Sequence, residues 1–139
     1  MNYRFKTSCT KQKLKEIRDF VTAVLYKYGL SEIETNKLVL AVDEICANLI
    51  IHAHGCNPKE SIELLINVKE NEGVTFEISD RGIGFNPGKY QEPSLNEIVK
   101  EKKKGGLGLM LVKRIMDDVE FKSDSRQNVC ILYKKFKPC

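Results

Sequence analysis

No apolar run in this sequence approaches the roughly 20 residues a membrane-spanning helix needs, so no membrane partner is expected. The opening stretch, MNYRFKTSCT, has no apolar segment of the kind found in secretory signals. No C-x-x-C pair occurs, and the five cysteines (Cys9, Cys46, Cys56, Cys130 and Cys139) are scattered and odd in number. That pattern suits reduced thiols in a cytoplasmic protein and speaks against a disulfide framework or a thiolate metal site. Strong charge of one sign is missing too. The net charge is only +4, and no basic patch interleaves with aromatics, so direct nucleic-acid binding is not expected. There are no internal repeats and no linker.

What is present is the profile of one soluble domain with a real core, residues 1–139, 42% hydrophobic and 30% charged. Tyr3, Phe5 and Thr7 alternate with Arg4 and Lys6, which predicts a first strand over 2–9. Thr10 is the expected cap of a helix with Leu14, Ile17, Val21, Val24 and Tyr28 on its apolar stripe, ended by Gly29. Ser31 to Glu34 reads as a capping box, opening a second helix that runs to about His54. Two strands, 61–69 and 74–79, flank a turn at Asn71-Glu72-Gly73. The segment 80–104 is long and carries three glycines and two prolines, and 94–102 within it suits a short helix. A third main helix is expected from about Gly106 to Asp118, with Leu107, Leu111, Ile115 and Met116 apolar. A last hairpin, 119–123 and 129–136, turns at 124–128. The order β-α-α-β-β-loop-α-β-β implies a two-layer α+β sandwich: a mostly antiparallel mixed sheet with helices on one face.

Three stretches carry candidate chemistry. The first is Ala41 to His54, AVDEICANLIIHAH, where Glu44, Asn48 and His52 recur every four residues on one helix face. Leu38, Ala41, Val42, Ile45 and Leu49 form the apolar stripe, so Glu44 and Asn48 flank the buried side. A carboxylate and a carboxamide one turn apart suit a general base beside a hard-cation ligand. The second is Ile78-Ser79-Asp80-Arg81-Gly82-Ile83-Gly84, a carboxylate at a strand end before a glycine turn. The third is Lys104-Gly105-Gly106-Leu107-Gly108, where a loop becomes a helix. Backbone N–H groups and the dipole at such a terminus make an anion site. No G-K-[ST] follows, which excludes a Walker loop, and no βαβ unit surrounds the turn, which excludes a Rossmann site.

In this order and spacing the three stretches resemble the N, G1 and G2 boxes of the GHKL (Bergerat-fold) ATPases. They are most similar to the free-standing serine kinases that act as bacterial anti-sigma factors. The resemblance covers residues 6–136 and implies the same sandwich fold. It implies ATP and Mg²⁺ as cofactors, with Asp80 accepting a hydrogen bond from the adenine amino group. Gly82 and Gly84 would allow close approach to base and ribose. Gly105, Gly106, Leu107 and Gly108 would hold the phosphates. Lys104, nearest of the 100–104 lysines, would screen the triphosphate; the family often has Arg near this place. Asn48 would hold Mg²⁺ and Glu44 would be the general base, while a structural hydrogen bond suits His52 better. It further implies a homodimer that binds a sigma factor in one state and phosphorylates an anti-sigma-antagonist protein in another. Two other functions fit less well. A nucleotide-dependent binding module would have no need of Glu44. A histidine-kinase catalytic domain is expected to come with a dimerisation helix bearing a phospho-acceptor histidine, and none is seen.

Overall fold

The computed structural model describes residues 1–53, 61–81, 106–123 and 127–136. Five strands form one sheet: β1 (Asn2–Ser8), β2 (Ser61–Lys69), β3 (Gly73–Arg81), β4 (Asp118–Ser123) and β5 (Gln127–Lys135). Three helices accompany them: α1 (Lys13–Tyr26), α2 (Glu32–Ala47) and α3 (Gly106–Ile115). The sheet order is β1-β2-β3-β5-β4. All four pairings are antiparallel, so the described sheet contains no parallel pair.

Period-two alternation sets the two faces of the sheet. One cross-strand row reads Phe5, Leu64, Ile78, Cys130, Phe121, and the next reads Tyr3, Ile66, Phe76, Leu132, Val119. The central residues of both rows are buried and share one core with the apolar stripes of all three helices. The opposite face carries Arg4, Leu65, Glu77, Ile131 and Glu120 in register. Helices therefore cover a single face, as the element order requires. Helix α2 contacts both α1 and α3.

Local chemistry explains most boundaries. Ser31 caps α2, its Oγ accepting from the Glu34 N–H at 3.1 Å. Asn71 at φ 65° turns the β2–β3 hairpin. Gly73 follows because a Cβ there would lie 2.6 Å from the Lys134 carbonyl oxygen. Gly29, at φ +71°, takes the left-handed turn after α1.

Four expectations need correcting. Thr10 does not cap α1: the cap position is Gln12, without a side-chain bond. The Thr10 carbonyl instead accepts from Lys13 N–H at 3.0 Å, in a turn that delays the helix. In α3, Leu111 points outward (44% exposed), and Leu109, Val112 and, just past the helix end, Met116 fill the core. At 3.6 residues per turn these three share one face, and Leu111 lies opposite it. Strand β5 begins at Gln127, two residues earlier than the sequence suggests, so Asn128 belongs to the strand. Finally, α2 does not continue as an α-helix to His54. From Asn48 to Ala53 the backbone is π-helical.

Candidate functional site

Asp80 lies near the end of β3, on the helix-facing side of the sheet, in register with Ile62 and Asn128. It is fully buried. A carboxyl group in such a place requires hydrogen-bond partners. Asn128 supplies them: its backbone N–H donates to Oδ1 at 2.7 Å and its side-chain Nδ2 to Oδ2 at 3.3 Å. Two donors from a neighbouring strand fix the plane of the carboxylate. Sequence reasoning missed Asn128, which it assigned to a turn. The signal lay in the alternation Asn128, Cys130, Leu132, which continues the buried face of β5 by one polar residue.

Glu44 and Asn48 stand one turn apart at the C-terminal end of α2, both half-buried. The Asn48 N–H donates to the carbonyls of Glu44 and Ile45, so the two residues are tied through the backbone. Burial, and after it the neighbouring Asp43 carboxylate, hold the Glu44 pKa above the ordinary 4.5. Asp43 is itself bound to Arg18 of α1, at 3.0 Å. A carboxylate with a raised pKa is a stronger proton acceptor than a solvated one, as a general base requires.

The π-helical stretch starts at Asn48. Such turns are rare and occur often at functional sites. Its turns are wider than those of the α-helix before it, and the Glu44–Asn48 step lies within the α-helical part. The His52 side chain lies outside the described residues, as do Gly82, Gly84, Lys104 and Gly105. Gly106, Leu107 and Gly108 form the first turn of α3, whose N-terminal amides the phosphate expectation needs. Helix α3 packs on α2, so that turn and the Glu44–Asn48 turn belong to adjoining elements. For Mg²⁺, Asn48 offers one hard oxygen. Among the described residues no three His, Cys, Asp or Glu side chains converge on a metal-holding site. The donor set fits an ion that shares its coordination with phosphate oxygens and water, as Mg²⁺ does.

A buried strand-end carboxylate, a Glu–Asn pair on a facing helix and a glycine-led helix start are the features to set against known proteins. The family described as Histidine kinase-like ATPase domain matches residues 7–134. The chain belongs to this family. Within it, the chain is 30% identical over 117 residues to the serine-protein kinase RsbW of Bacillus licheniformis, covering 78% of this chain and 70% of the relative. It is 26% identical over 102 residues to the anti-sigma F factor of Clostridium perfringens, covering 73% and 72%. Two solved structures share the fold. One comprises the RsbU and RsbW domains of Rv1364c from Mycobacterium tuberculosis: TM-score 0.67, 12% identity, 99% of this chain and 33% of that one. The other is the SiaB–SiaC complex from Pseudomonas aeruginosa: TM-score 0.67, 14% identity, 94% and 88% covered. The histidine kinase-like ATPase fold accounts for the sandwich.

Proposed function

We propose that this protein is an ATP-dependent serine/threonine kinase acting as an anti-sigma factor in a partner switch, and that it phosphorylates a serine of an anti-sigma-antagonist protein. The names of its relatives, serine-protein kinase and anti-sigma F factor, support this function. The observation that carries the catalytic half is Glu44: half-buried, raised in pKa, and one helical turn from a carboxamide suited to Mg²⁺.

The mechanism follows from these positions. Asp80, held by Asn128, accepts a hydrogen bond from the adenine amino group; guanine has no donor there. Asn48 would hold Mg²⁺ through its side-chain oxygen, and the ion would supply positive charge opposite the phosphates when bound. Gly106, Leu107 and Gly108, in the first turn of α3, would receive the phosphates together with Gly105 and Lys104, and Gly82 and Gly84 would allow approach to the base and ribose. Glu44 accepts the serine proton as the Ser O–P bond forms and the bond from the γ-phosphorus to the ADP oxygen breaks. The protein works as a cytoplasmic homodimer, its 139 residues forming one domain.

The test is single-turnover transfer of labelled γ-phosphate to purified anti-sigma-antagonist proteins of the same organism, with and without Mg²⁺. Mg²⁺-dependent serine labelling is expected. ATP binding with no transfer to any of them would leave a nucleotide-dependent binding module in place of a kinase.

A further inference from the structure

Two large apolar side chains of α2 face solvent: Ile33 is 68% exposed and Leu40 41%. The inward stripe of the helix is already complete with Leu38, Ala41, Val42 and Ile45, all buried. Exposed apolar residues scattered singly are ordinary. These two are not scattered. At about 100° per residue, Leu40 returns to within about 20° of the line through Ile33. Glu44 falls about 20° to the other side of that line, and Lys37 about 40°. Ile33, Lys37, Leu40 and Glu44 thus form one row, which runs from exposed residues at Ile33, Lys37 and Leu40 to the half-buried Glu44. Along the axis Leu40 lies roughly 6 Å from Glu44, and Ile33 roughly 16 Å.

A base serves a hydroxyl only within hydrogen-bond reach. The polypeptide bearing the acceptor serine must therefore come against α2 at Glu44. The surface continuous with Glu44 along the helix is Leu40, then Lys37, then Ile33. We infer that Ile33, Lys37 and Leu40 are the docking row for the acceptor protein. That protein seats an apolar patch, next to its serine, on Leu40 and Ile33, and so brings the hydroxyl to Glu44. The inference rests on the kinase function proposed above and assigns that function's protein substrate a place on the molecule. Leu40 and Ile33 here are specificity residues that touch neither nucleotide nor reacting atoms.

The test compares the parent with the Ile33→Ala/Leu40→Ala double variant in phosphate transfer to the purified antagonist proteins. Alanine keeps the helix and adds no charge beside Glu44. KM for the acceptor should rise about tenfold, the scale of one or two significant interface side chains. The rate at saturating acceptor and the affinity for ATP should stay at parental values. Leu40→Met alone, which keeps apolar bulk, should leave KM near the parental value. An unchanged KM in the double variant, with the parent active, overturns the docking row alone. A fall in ATP affinity, or a lower rate at saturating acceptor, overturns it too, because the row would then belong to the nucleotide site. A parent that labels no acceptor overturns the kinase function and the row together.

Discussion

The two ends of the candidate site are built differently. At the proposed adenine end, Asp80 stands near the end of the central strand, fully buried, with both oxygens held by Asn128 of the next strand. At the chemical end, Glu44 and Asn48 sit half-buried where an α-helix gives way to π-helical backbone. The first arrangement holds one acceptor at one angle. The second leaves its carboxylate partly open to solvent. Recognition of a base needs a fixed acceptor, because a donor meeting a misaligned partner is left unpaired. Proton transfer needs a group that two molecules can reach in turn. Changes at the two ends should therefore separate binding from chemistry.

The largest effect is expected from Glu44→Gln. General-base catalysis contributes about 10²- to 10⁴-fold, and a loose phosphoryl-transfer transition state favours the lower end. Single-turnover transfer should fall on that scale with nucleotide affinity nearly unchanged. Equal rates in parent and variant would break the comparison. The same variant carries a stability signature. The folded-state pKa of Glu44 is raised, so folding binds a proton in the window just above 4.5. Stability contributed by Glu44 therefore declines as pH rises through that window, and its cost is fully present at neutral pH. Thermal melts at neutral pH should place Glu44→Gln slightly above the parent, with the difference vanishing in acid.

Next in size is Asp80→Asn. It presents an amide where Asn128 already offers two donors, and it puts a donor toward the adenine amino group. ATP affinity should drop by about 1–3 kcal/mol, the cost of a buried, badly paired polar group. Calorimetry with ATP and GTP checks both the loss and the parental preference for ATP. Asn128→Ala is milder. It keeps the 2.7 Å backbone bond and removes only the 3.3 Å one. Urea titration should show a loss of about 1 kcal/mol, with a smaller fall in ATP affinity than Asp80→Asn.

The smallest effect is expected from Arg18→Gln. It leaves Asp43 unpaired beside Glu44. The pH at which transfer reaches half its maximum should move upward, because an uncompensated carboxylate disfavours a second charge. Stability should change by less than about 1 kcal/mol, as suits a partly exposed pair. An unmoved pH profile would mean that Asp43 does not tune Glu44.

Legibility in the sequence followed periodicity. The α2 stripe, the Ser31 cap and the alternation of β1 to β3 are local patterns, and each appears in the structure where the residues predict it. Asp80 was legible as a strand-end carboxylate. What failed depended on partners distant in sequence. Asn128 looks like a turn residue until β5 is laid beside β3, where a buried carboxylate requires it. The π-helical stretch at Asn48 has no signature in residue type, because Leu49 and Ile50 are as apolar and as buried as an α-helical stripe would need. The exposure of Leu111 was not legible for a simpler reason: residue type alone does not say which of the leucines of α3 meets the sheet.

The pairing of Asp80 with Asn128 has a consequence in time. The two residues are 48 positions apart, and the donor comes from the last strand of the sheet. As the chain leaves the ribosome, β1, β2 and β3 can associate while the carboxylate still lacks the two donors of Asn128. Nucleotide affinity should therefore switch on late, when β5 docks, after much of the loop-closure entropy has already been lost. Bound ATP would then act on the finished molecule alone, drawing it out of the pool of partly folded chains by mass action.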